Sequence, residues 1–258
     1  MKKYILKIIS SSLILKFMYN FIKDKRLRAK ILKFQSKQPR NFTITSNLKD
    51  SYFSLLAEKF GSDKDGIGNL SSTFSWPSHT YGSVYDFLFS RRRLEILRVF
   101  ECGIGTNNEL ITSNMGPTGR PGASLRLWAD YFPNCEVIGI DIDPNALIDE
   151  PRIKCFTVDQ TNARSIEELW NRFPDTKFDL MIDDGLHNLE AGMTLLVNSI
   201  KMLADDGFYI IEDVSVNYLE DYSRRLAQEG FNFFIISLNR SNEFGYDNNL
   251  ILIKKNEN

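Results

Sequence analysis

From about residue 95, short apolar runs of strand length alternate with segments of helix length, and this alternation is what most constrains the fold. Most of these runs are almost continuously apolar, as expected for strands covered on both faces. The pattern predicts a doubly wound α/β fold with a mostly parallel, seven-stranded sheet, in which the last two strands pair antiparallel because their connection is short. The predicted strands are Leu97–Cys102, Glu136–Asp141, Ile153–Asp159, Phe178–Asp183, Phe208–Asp213, Phe231–Ser237 and Leu250–Lys254.

The charge of the chain is divided unevenly between its N-terminal segment and the rest. Residues 1–40 contain twelve Lys and Arg and one acid, Asp24, whereas the formal net charge of the whole chain is −1. Lys16 and neighbouring polar residues interrupt the apolar run of this basic arm, so neither a transmembrane helix nor a secretory signal is predicted. Two interpretations stay open: a helix on an anionic membrane surface, or a helix packed on the body or on a second subunit. No nucleic-acid partner is predicted, because the rest of the chain supplies no basic surface.

The remaining sequence divides into two further predicted regions. Residues 41–94 are predicted to form an N-terminal helical cap, with helices over Tyr52–Phe60 and Val84–Arg93, and residues 95–258 are predicted to form the core. Three cysteines without CxxC spacing argue against a zinc site or a disulfide framework and favour a cytoplasmic protein. If the arm binds membrane, the protein would be peripheral at the inner face.

The carboxyl ends of the predicted strands are acidic, and parallel sheets bind ligands at this edge. A buried carboxylate is costly without a partner, so several of them on one edge predict a polar or cationic ligand. The residues at these ends are Glu101, Asp141, Asp143, Asp159, Gln160, Asp183, Asp184, Glu212 and Asp213.

The ligand predicted from these ends is a nucleoside cofactor without a pyrophosphate. Gly103 and Gly105 allow a tight turn close to a ligand, but Asn108 stands where a dinucleotide fingerprint needs glycine. Asp141 is placed to bind ribose hydroxyls, and Asp159 or Gln160 to bind an adenine amine. The acidic surroundings suit the ammonium and sulfonium charges of S-adenosylmethionine.

A metal site is predicted beside the cofactor. Asp184, Glu212 and Asp213 are hard oxygen ligands at the ends of successive strands, so they could converge on one Mg²⁺. His187 follows Asp184 by three residues and can face the same site as a general base. The other histidine, His79, lies in the predicted cap, where contact with substrate and packing are both open.

The core from about residue 61 to 254 resembles the class I S-adenosylmethionine-dependent methyltransferases. It is similar in particular to metal-dependent sugar O-methyltransferases of the macrocin and mycinamicin type. The matching motifs are Gly61–Lys64, Tyr81–Phe89, Phe100–Gly105, Gly122–Trp128, Val137–Asp143, Val158–Thr161, Ile182–His187 and Ile211–Asp213. The basic arm is outside this resemblance.

The resemblance implies an O-methyltransferase that uses S-adenosylmethionine and Mg²⁺ on a hydroxyl of a sugar or glycan precursor, in polysaccharide or natural-product biosynthesis. The alternatives are a methyltransferase for a non-sugar small molecule and a non-catalytic protein that binds an adenosine ligand. A homo-oligomer is expected. The predicted cofactor-binding residues are Glu101, Gly103, Gly105, Ser124, Asp141, Asp159, Gln160, Asp183 and Tyr81; the predicted metal ligands are Asp184, Glu212 and Asp213, with His187 as the base.

Overall fold

The computed structural model describes residues 26, 29, 41–44, 51–66, 76–238 and 247–255. Almost all of the predicted basic arm therefore lies outside the described residues, and its two interpretations stay predictions. Within the described ranges, no helix is both long and apolar enough to cross a membrane.

The described chain alternates strands and helices in the predicted order. Two short 3₁₀ turns, Pro144–Ala146 and Ile200–Met202, accompany the main elements. The helices are α1 (Tyr52–Phe60), α2 (Gly82–Phe89), α3 (Ala123–Tyr131), α4 (Ala163–Trp170), α5 (Leu189–Ser199) and α6 (Leu219–Gln228). The strands are β1 (Asn41–Ile44), β2 (Arg98–Cys102), β3 (Glu136–Asp141), β4 (Asp149–Glu150), β5 (Ile153–Thr157), β6 (Phe178–Asp183), β7 (Leu203–Ile211), β8 (Asn232–Leu238) and β9 (Asn249–Lys254).

All described strands join one sheet, in the order β1-β8-β9-β7-β6-β2-β3-β5-β4. The pairs are parallel except that β9 is antiparallel to β7 and β8, and β4 is antiparallel to β5. The predicted α/β fold class and the antiparallel pairing of the last two strands are confirmed. The sheet has nine strands in the described residues rather than seven, because β1 and β4 add short edges. Neither edge strand has the long apolar run by which the other strands were predicted.

The sheet is covered by helices on both faces, which is why its strands are apolar throughout. Side chains on one face of the sheet, such as Phe100 and Met181, pack with α4, α5 and α6. Side chains on the opposite face, such as Val99 and Leu180, pack with α1, α2 and α3. Burying two faces of every central strand supplies the large apolar area that holds a doubly wound fold together.

The predicted cap packs directly on the core. The ring of Trp128 on α3 lies 5.4 Å from that of Phe53 on α1 and 4.7 Å from that of Tyr85 on α2. The helix predicted over Val84–Arg93 begins and ends earlier, at Gly82 and Phe89. The cap is not helical throughout, since β1 lies within residues 41–94 and pairs with β8.

The register of the central strands places their carboxyl ends at the same level, along one edge of the sheet. Asp183, the last residue of β6, is paired with Cys102 of β2 and with Ile211 of β7. The residues that follow these three strands are therefore neighbours in space. Asn188 is the N-cap of α5, and its side chain accepts a hydrogen bond from the Ala191 amide. Residues 184–187 are therefore held between the end of β6 and the start of that helix.

Candidate active site

A cavity of about 380 Å³ opens at this edge of the sheet. It is walled by the loops after β2, β3, β5, β6 and β7, and residues 111–115 of the long loop after Gly105 also line it. Nine predicted site residues face it: Gly103, Gly105, Ser124, Asp141, Asp159, Gln160, Asp184, His187 and Asp213. Four others, Glu101, Tyr81, Asp183 and Glu212, do not line it.

Gly103 is required by the close approach of two loops. Its φ is +83°, and a Cβ at this position would lie 2.1 Å from the carbonyl oxygen of Asp184. Gly105 has the same φ of +83°. The two glycines thus let the loop after β2 turn beneath the cavity, against the loop that holds Asp184 and His187.

Replacing Gly103 with alanine should lower the free energy of unfolding by about 2–4 kcal/mol, because it adds a clash with rigid backbone to the cost of a left-handed conformation. Urea denaturation measures this. Gly230→Ala is the matched control: its φ is +76°, and a Cβ there would meet nothing within 4 Å. It should cost only about 1 kcal/mol. Equal losses in the two variants would contradict the steric explanation.

The predicted adenosine-binding side chains are fixed by the loops around them. Asp141 accepts hydrogen bonds from the amides of Ile104 (3.1 Å) and Asp143 (2.9 Å). Gln160 accepts one from the Leu186 amide at 2.7 Å and donates to Asp183 at 3.0 Å. Asp183 therefore does not line the cavity, and its hydrogen bond fixes the side chain of Gln160. Burial raises the pKa of Asp183 to about 6, against the lowering effect of the Gln160 hydrogen bond.

One group of carboxylates surrounds Lys64, whose side chain is only 1% exposed. The ammonium lies 2.9 Å from Glu101 Oε1 and 2.6 Å from Asp184 Oδ2, and it also contacts Glu212 Oε2. Burial alone lowers the pKa of Lys64, but the charges of Asp184, Glu101 and Glu212 outweigh it and raise that pKa well above its ordinary value. Lys64 is therefore a buried, permanently charged cation.

The second oxygens of Glu101 and Glu212 are also bound within the protein. Trp128 Nε1 donates to Glu101 Oε2 at 2.9 Å, and the Tyr85 hydroxyl donates to Glu212 Oε1 at 2.5 Å. Burial raises the pKa of Glu212 to about 8, although Lys64 opposes the shift. Glu101 does not line the cavity: Trp128 donates to its Oε2, and its Oε1 lies 2.9 Å from the Lys64 ammonium.

A second group of side chains faces the cavity and consists of Asp184, His187 and Asp213. His187 Nε2 lies 3.3 Å from Asp184 Oδ1 and 3.9 Å from Asp213 Oδ2. Asp184 belongs to both groups: its Oδ2 contacts Lys64 while its Oδ1 faces His187. Burial lowers the pKa of His187, but the hydrogen bond to Asp184 and the charges of Asp213, Asp184 and Asp183 raise it to about 10 without a bound cation.

Asp213 is held on its other side by the predicted cap. The Tyr81 hydroxyl donates to Asp213 Oδ1 at 2.6 Å, and His79 Nε2 lies 3.3 Å from the same oxygen. Burial alone raises the pKa of Asp213, but the charges of His79 and His187 and hydrogen bonds from His79 and Tyr81 bring it well below its usual range. Tyr81 therefore supports Asp213 instead of lining the cavity.

His79 is a buried residue that orients Asp213, and it also lines the cavity. Its Nδ1 lies 3.2 Å from Asn248 Oδ1, and Asn248 Nδ2 donates to Thr80 Oγ1 and to the Leu238 carbonyl. These bonds fix the amide so that its oxygen faces His79, which makes Nδ1 a donor.

The backbone at the two functional positions is strained. Among the described residues other than glycine, four have a left-handed φ, and two of these are His187 (+55°) and Asp213 (+53°). Such strain costs about 1–3 kcal/mol and is concentrated at functional sites in proteins. The turns that produce it direct both side chains to the same point of the cavity edge.

The donor set at this point fits a divalent cation. Asp184, His187 and Asp213 each offer an atom within 4.8 Å of the others, and Glu101, Asp184 and Glu212 form a second such group. Asp184 and Asp213 supply the hard oxygens that Mg²⁺ prefers, with positions left for water or substrate oxygens. The structure does not bring Glu212 into the group that contains Asp213, since Lys64 and Tyr85 hold it.

Sequence reasoning left four functional contacts without a role: Lys64, Tyr85, Trp128 and the pairing of His79 with Asp213. Each partner is far away in the chain, as with Lys64 and Glu212, which are separated by 148 residues. The available signals were the motifs of the family resemblance, since Gly61–Lys64 contains Lys64, Tyr81–Phe89 contains Tyr85 and Gly122–Trp128 contains Trp128.

The mostly parallel α/β fold matches the class I methyltransferase fold. Residues 119–220 match the model of the FtsJ-like methyltransferase family. Among solved structures, the MycE methyltransferase of the mycinamycin biosynthetic pathway, in complex with Mg and SAH, superposes with a TM-score of 0.58 at 22% identity. That match covers 80% of this chain and 55% of MycE.

Curated proteins with similar sequences include O-methyltransferases of natural products. A rhamnosyl tetracenomycin-C 2'-O-methyltransferase of Streptomyces olivaceus is 29% identical over 64% of this chain and 42% of its own length. The mycinamicin VI 2''-O-methyltransferase of Micromonospora griseorubida is 31% identical over 61% of this chain and 38% of its own length. The chain therefore resembles metal-dependent sugar O-methyltransferases, as predicted, but it spans about two fifths of the length of these curated relatives.

Proposed function

We propose that this protein is an S-adenosylmethionine- and Mg²⁺-dependent O-methyltransferase that acts on a sugar hydroxyl of a small glycosylated molecule. The observation that carries the proposal is the convergence of Asp184, His187 and Asp213 within 4.8 Å at the edge of a glycine-walled cavity. This arrangement joins metal-binding oxygens and a proton acceptor at the carboxyl ends of parallel strands.

The cavity itself supports S-adenosylmethionine as the methyl donor. Asp141 and Gln160 lie at the ends of neighbouring strands, where they can bind ribose hydroxyls and the adenine amine. The acidic groups near them favour a ligand that carries ammonium and sulfonium charges. The MycE methyltransferase, which was solved in complex with Mg and SAH, has the same fold and supports the same pair of ligands here.

Bound Mg²⁺ would lower the pKa of an acceptor hydroxyl and fix its position. Asp184 and Asp213 would hold the ion, and Tyr81 and His79 keep Asp213 directed to it. His187 removes the hydroxyl proton, the acceptor oxygen bonds to the methyl carbon, and the carbon–sulfur bond breaks with its electron pair on sulfur. The products are a methyl ether, the neutral thioether and protonated His187. Alignment of the acceptor supplies much of the rate.

A sugar acceptor is favoured over other small molecules by the relatives. The names of both curated relatives described above specify a hydroxyl on a sugar of a natural product. We therefore propose sugar modification of a natural product in preference to methylation of a polysaccharide. A non-sugar acceptor and a non-catalytic adenosine-binding protein are outcomes that the experiment below distinguishes.

The test is calorimetric titration of the full chain with S-adenosylmethionine, with Mg²⁺ and with chelator, followed by radiolabelled methyl transfer to glycosides and to catechol. Cofactor binding with Mg²⁺-dependent labelling of a glycoside supports the proposal. Labelling of catechol alone would replace the sugar by a phenol. Cofactor binding without labelling of any acceptor would favour the non-catalytic alternative, and absence of cofactor binding would overturn the proposal.

We also propose that the basic arm places the enzyme on anionic membrane, which the excess of Lys and Arg in residues 1–40 supports. Vesicles of phosphatidylserine and phosphatidylcholine should bind the full chain more tightly than a chain without residues 1–40. Unchanged binding would favour packing of the arm on the body or on a second copy, which size-exclusion chromatography with light scattering would detect as a change in oligomeric state.

A further inference from the structure

Lys64 is a buried cation that the proposed reaction does not use. It follows α1 in the chain, and its ammonium reaches the ends of three different strands or loops, at Glu101, Asp184 and Glu212. The ammonium donates hydrogen bonds to Asp184 and Glu212, and Glu101 Oε1 lies 2.9 Å from it as a third, ion-pair partner. Burial of a lysine to this degree is rare unless it is fully paired, so the contacts account for its position.

The acidic side chains around Lys64 outnumber this single cation. Three carboxylates surround a single ammonium, and the side chains of Glu101 and Glu212 are fully buried. Trp128 and Tyr85 donate to their other oxygens but bring no charge. A second cation near Asp184 would therefore be attracted by the carboxylates and repelled by Lys64.

We propose that Lys64 is a positioning residue that acts as a fixed internal cation beneath the metal site. It keeps Glu101, Asp184 and Glu212 together when no divalent cation is bound, and it weakens the binding of that cation. Lys64 also binds Asp184 Oδ2, which leaves Oδ1 directed to the cavity and to His187. The inference rests on the proposed function only in needing a divalent cation at Asp184 and Asp213, and it does not depend on methyl transfer.

The test compares Lys64→Met with the wild type in Mg²⁺ and in EDTA. Without the ammonium, the buried acidic side chains lose their cationic partner, so the melting temperature in EDTA should fall. Mg²⁺ should raise the melting temperature of the variant by more than it raises that of the wild type. Calorimetric titration with Mg²⁺ should show binding tightened by about tenfold, since one nearby positive charge is removed. Lys64→Gln, which keeps a hydrogen-bond donor without charge, should show the same tightening and provides a second variant if Lys64→Met does not fold.

Lys59→Met is the matched control. Lys59 pairs with Asp130 at 2.6 Å on the surface, where its side chain is 58% exposed, so its loss should leave the response to Mg²⁺ unchanged. Equal losses of stability with and without Mg²⁺ in both Lys64 variants, or unchanged or weaker Mg²⁺ affinity, would overturn the inference. A wild type that binds Mg²⁺ but transfers no methyl group would contradict the proposed function alone. A wild type that does not bind Mg²⁺ would overturn both.

Discussion

Replacing His187 with alanine should lower the rate of methyl transfer by about 10²- to 10⁴-fold, because the acceptor hydroxyl loses the group that removes its proton. His187 lines the cavity and hydrogen-bonds to Asp184 through Nε2. It does not lie among the adenosine-binding residues, so the dissociation constant for S-adenosylmethionine should change little. Steady-state assays and calorimetry of the same variant separate the two effects.

The pH dependence gives His187 a signature that a structural role lacks. A base must be unprotonated, so the rate should rise with pH until the pKa of His187 is passed. Asp184 and Asp213 raise that pKa to about 10 in the metal-free protein. Because Mg²⁺ would offset their charge, the pKa should fall when it binds. The chain has two histidines, so NMR titration with Mg²⁺ and with EDTA can follow both, with His187→Ala assigning them. A pH profile that is unchanged in His187→Ala would contradict its role as the base.

Replacing Asp184 or Asp213 with asparagine should weaken Mg²⁺ binding by at least about 100-fold, since each change removes a charged oxygen ligand. Asp184→Asn should also disturb Lys64, because Asp184 Oδ2 is one of its three partners. Asp213→Asn should weaken metal binding and leave the Lys64 cluster intact, and it also removes the charge that faces His79. Titration with Mg²⁺, together with thermal melting in EDTA, measures both properties in each variant.

Asp205→Asn is the matched control for the two metal-ligand variants. Asp205 is fully exposed and pairs only with Lys255, at 3.1 Å, among the described contacts. The same substitution there should change neither Mg²⁺ affinity nor melting temperature by a measurable amount. If Asp213→Asn bound Mg²⁺ as tightly as this control, the metal site would have to lie elsewhere.

The fold could be predicted from the sequence because the strands are apolar on both faces. The strands Phe178–Asp183 and Glu136–Asp141 have the bounds that the sequence predicts. The strand Asp149–Glu150 could not be predicted, since two acidic residues at a sheet edge carry no periodic pattern. β7 also begins earlier than predicted, at Leu203, because its polar first half interrupts the apolar run.

The candidate site was predictable wherever it depends on strand ends, and not where it depends on contacts between distant segments. Asp184, His187 and Asp213 follow β6 and β7, so their meeting point follows from sheet topology alone. The contacts of Glu212 with Lys64 and Tyr85 depend on how the segments before β2 pack on the sheet. Helix and strand patterns do not encode that packing, so these contacts of Glu212 could not be predicted, and its role as a metal ligand stays a prediction.

The place of β9 in the sheet has a consequence for the order in which the molecule assembles. β9 lies between β7 and β8, although it follows both in the chain. β8 therefore cannot join the sheet until β9 has paired with β7, and this long-range pairing is slow to form. Asn248, which holds His79, immediately precedes β9. On the ribosome, the side of the cavity that orients Asp213 would be completed only after residue 254 has emerged, well after the residues proposed to bind adenosine.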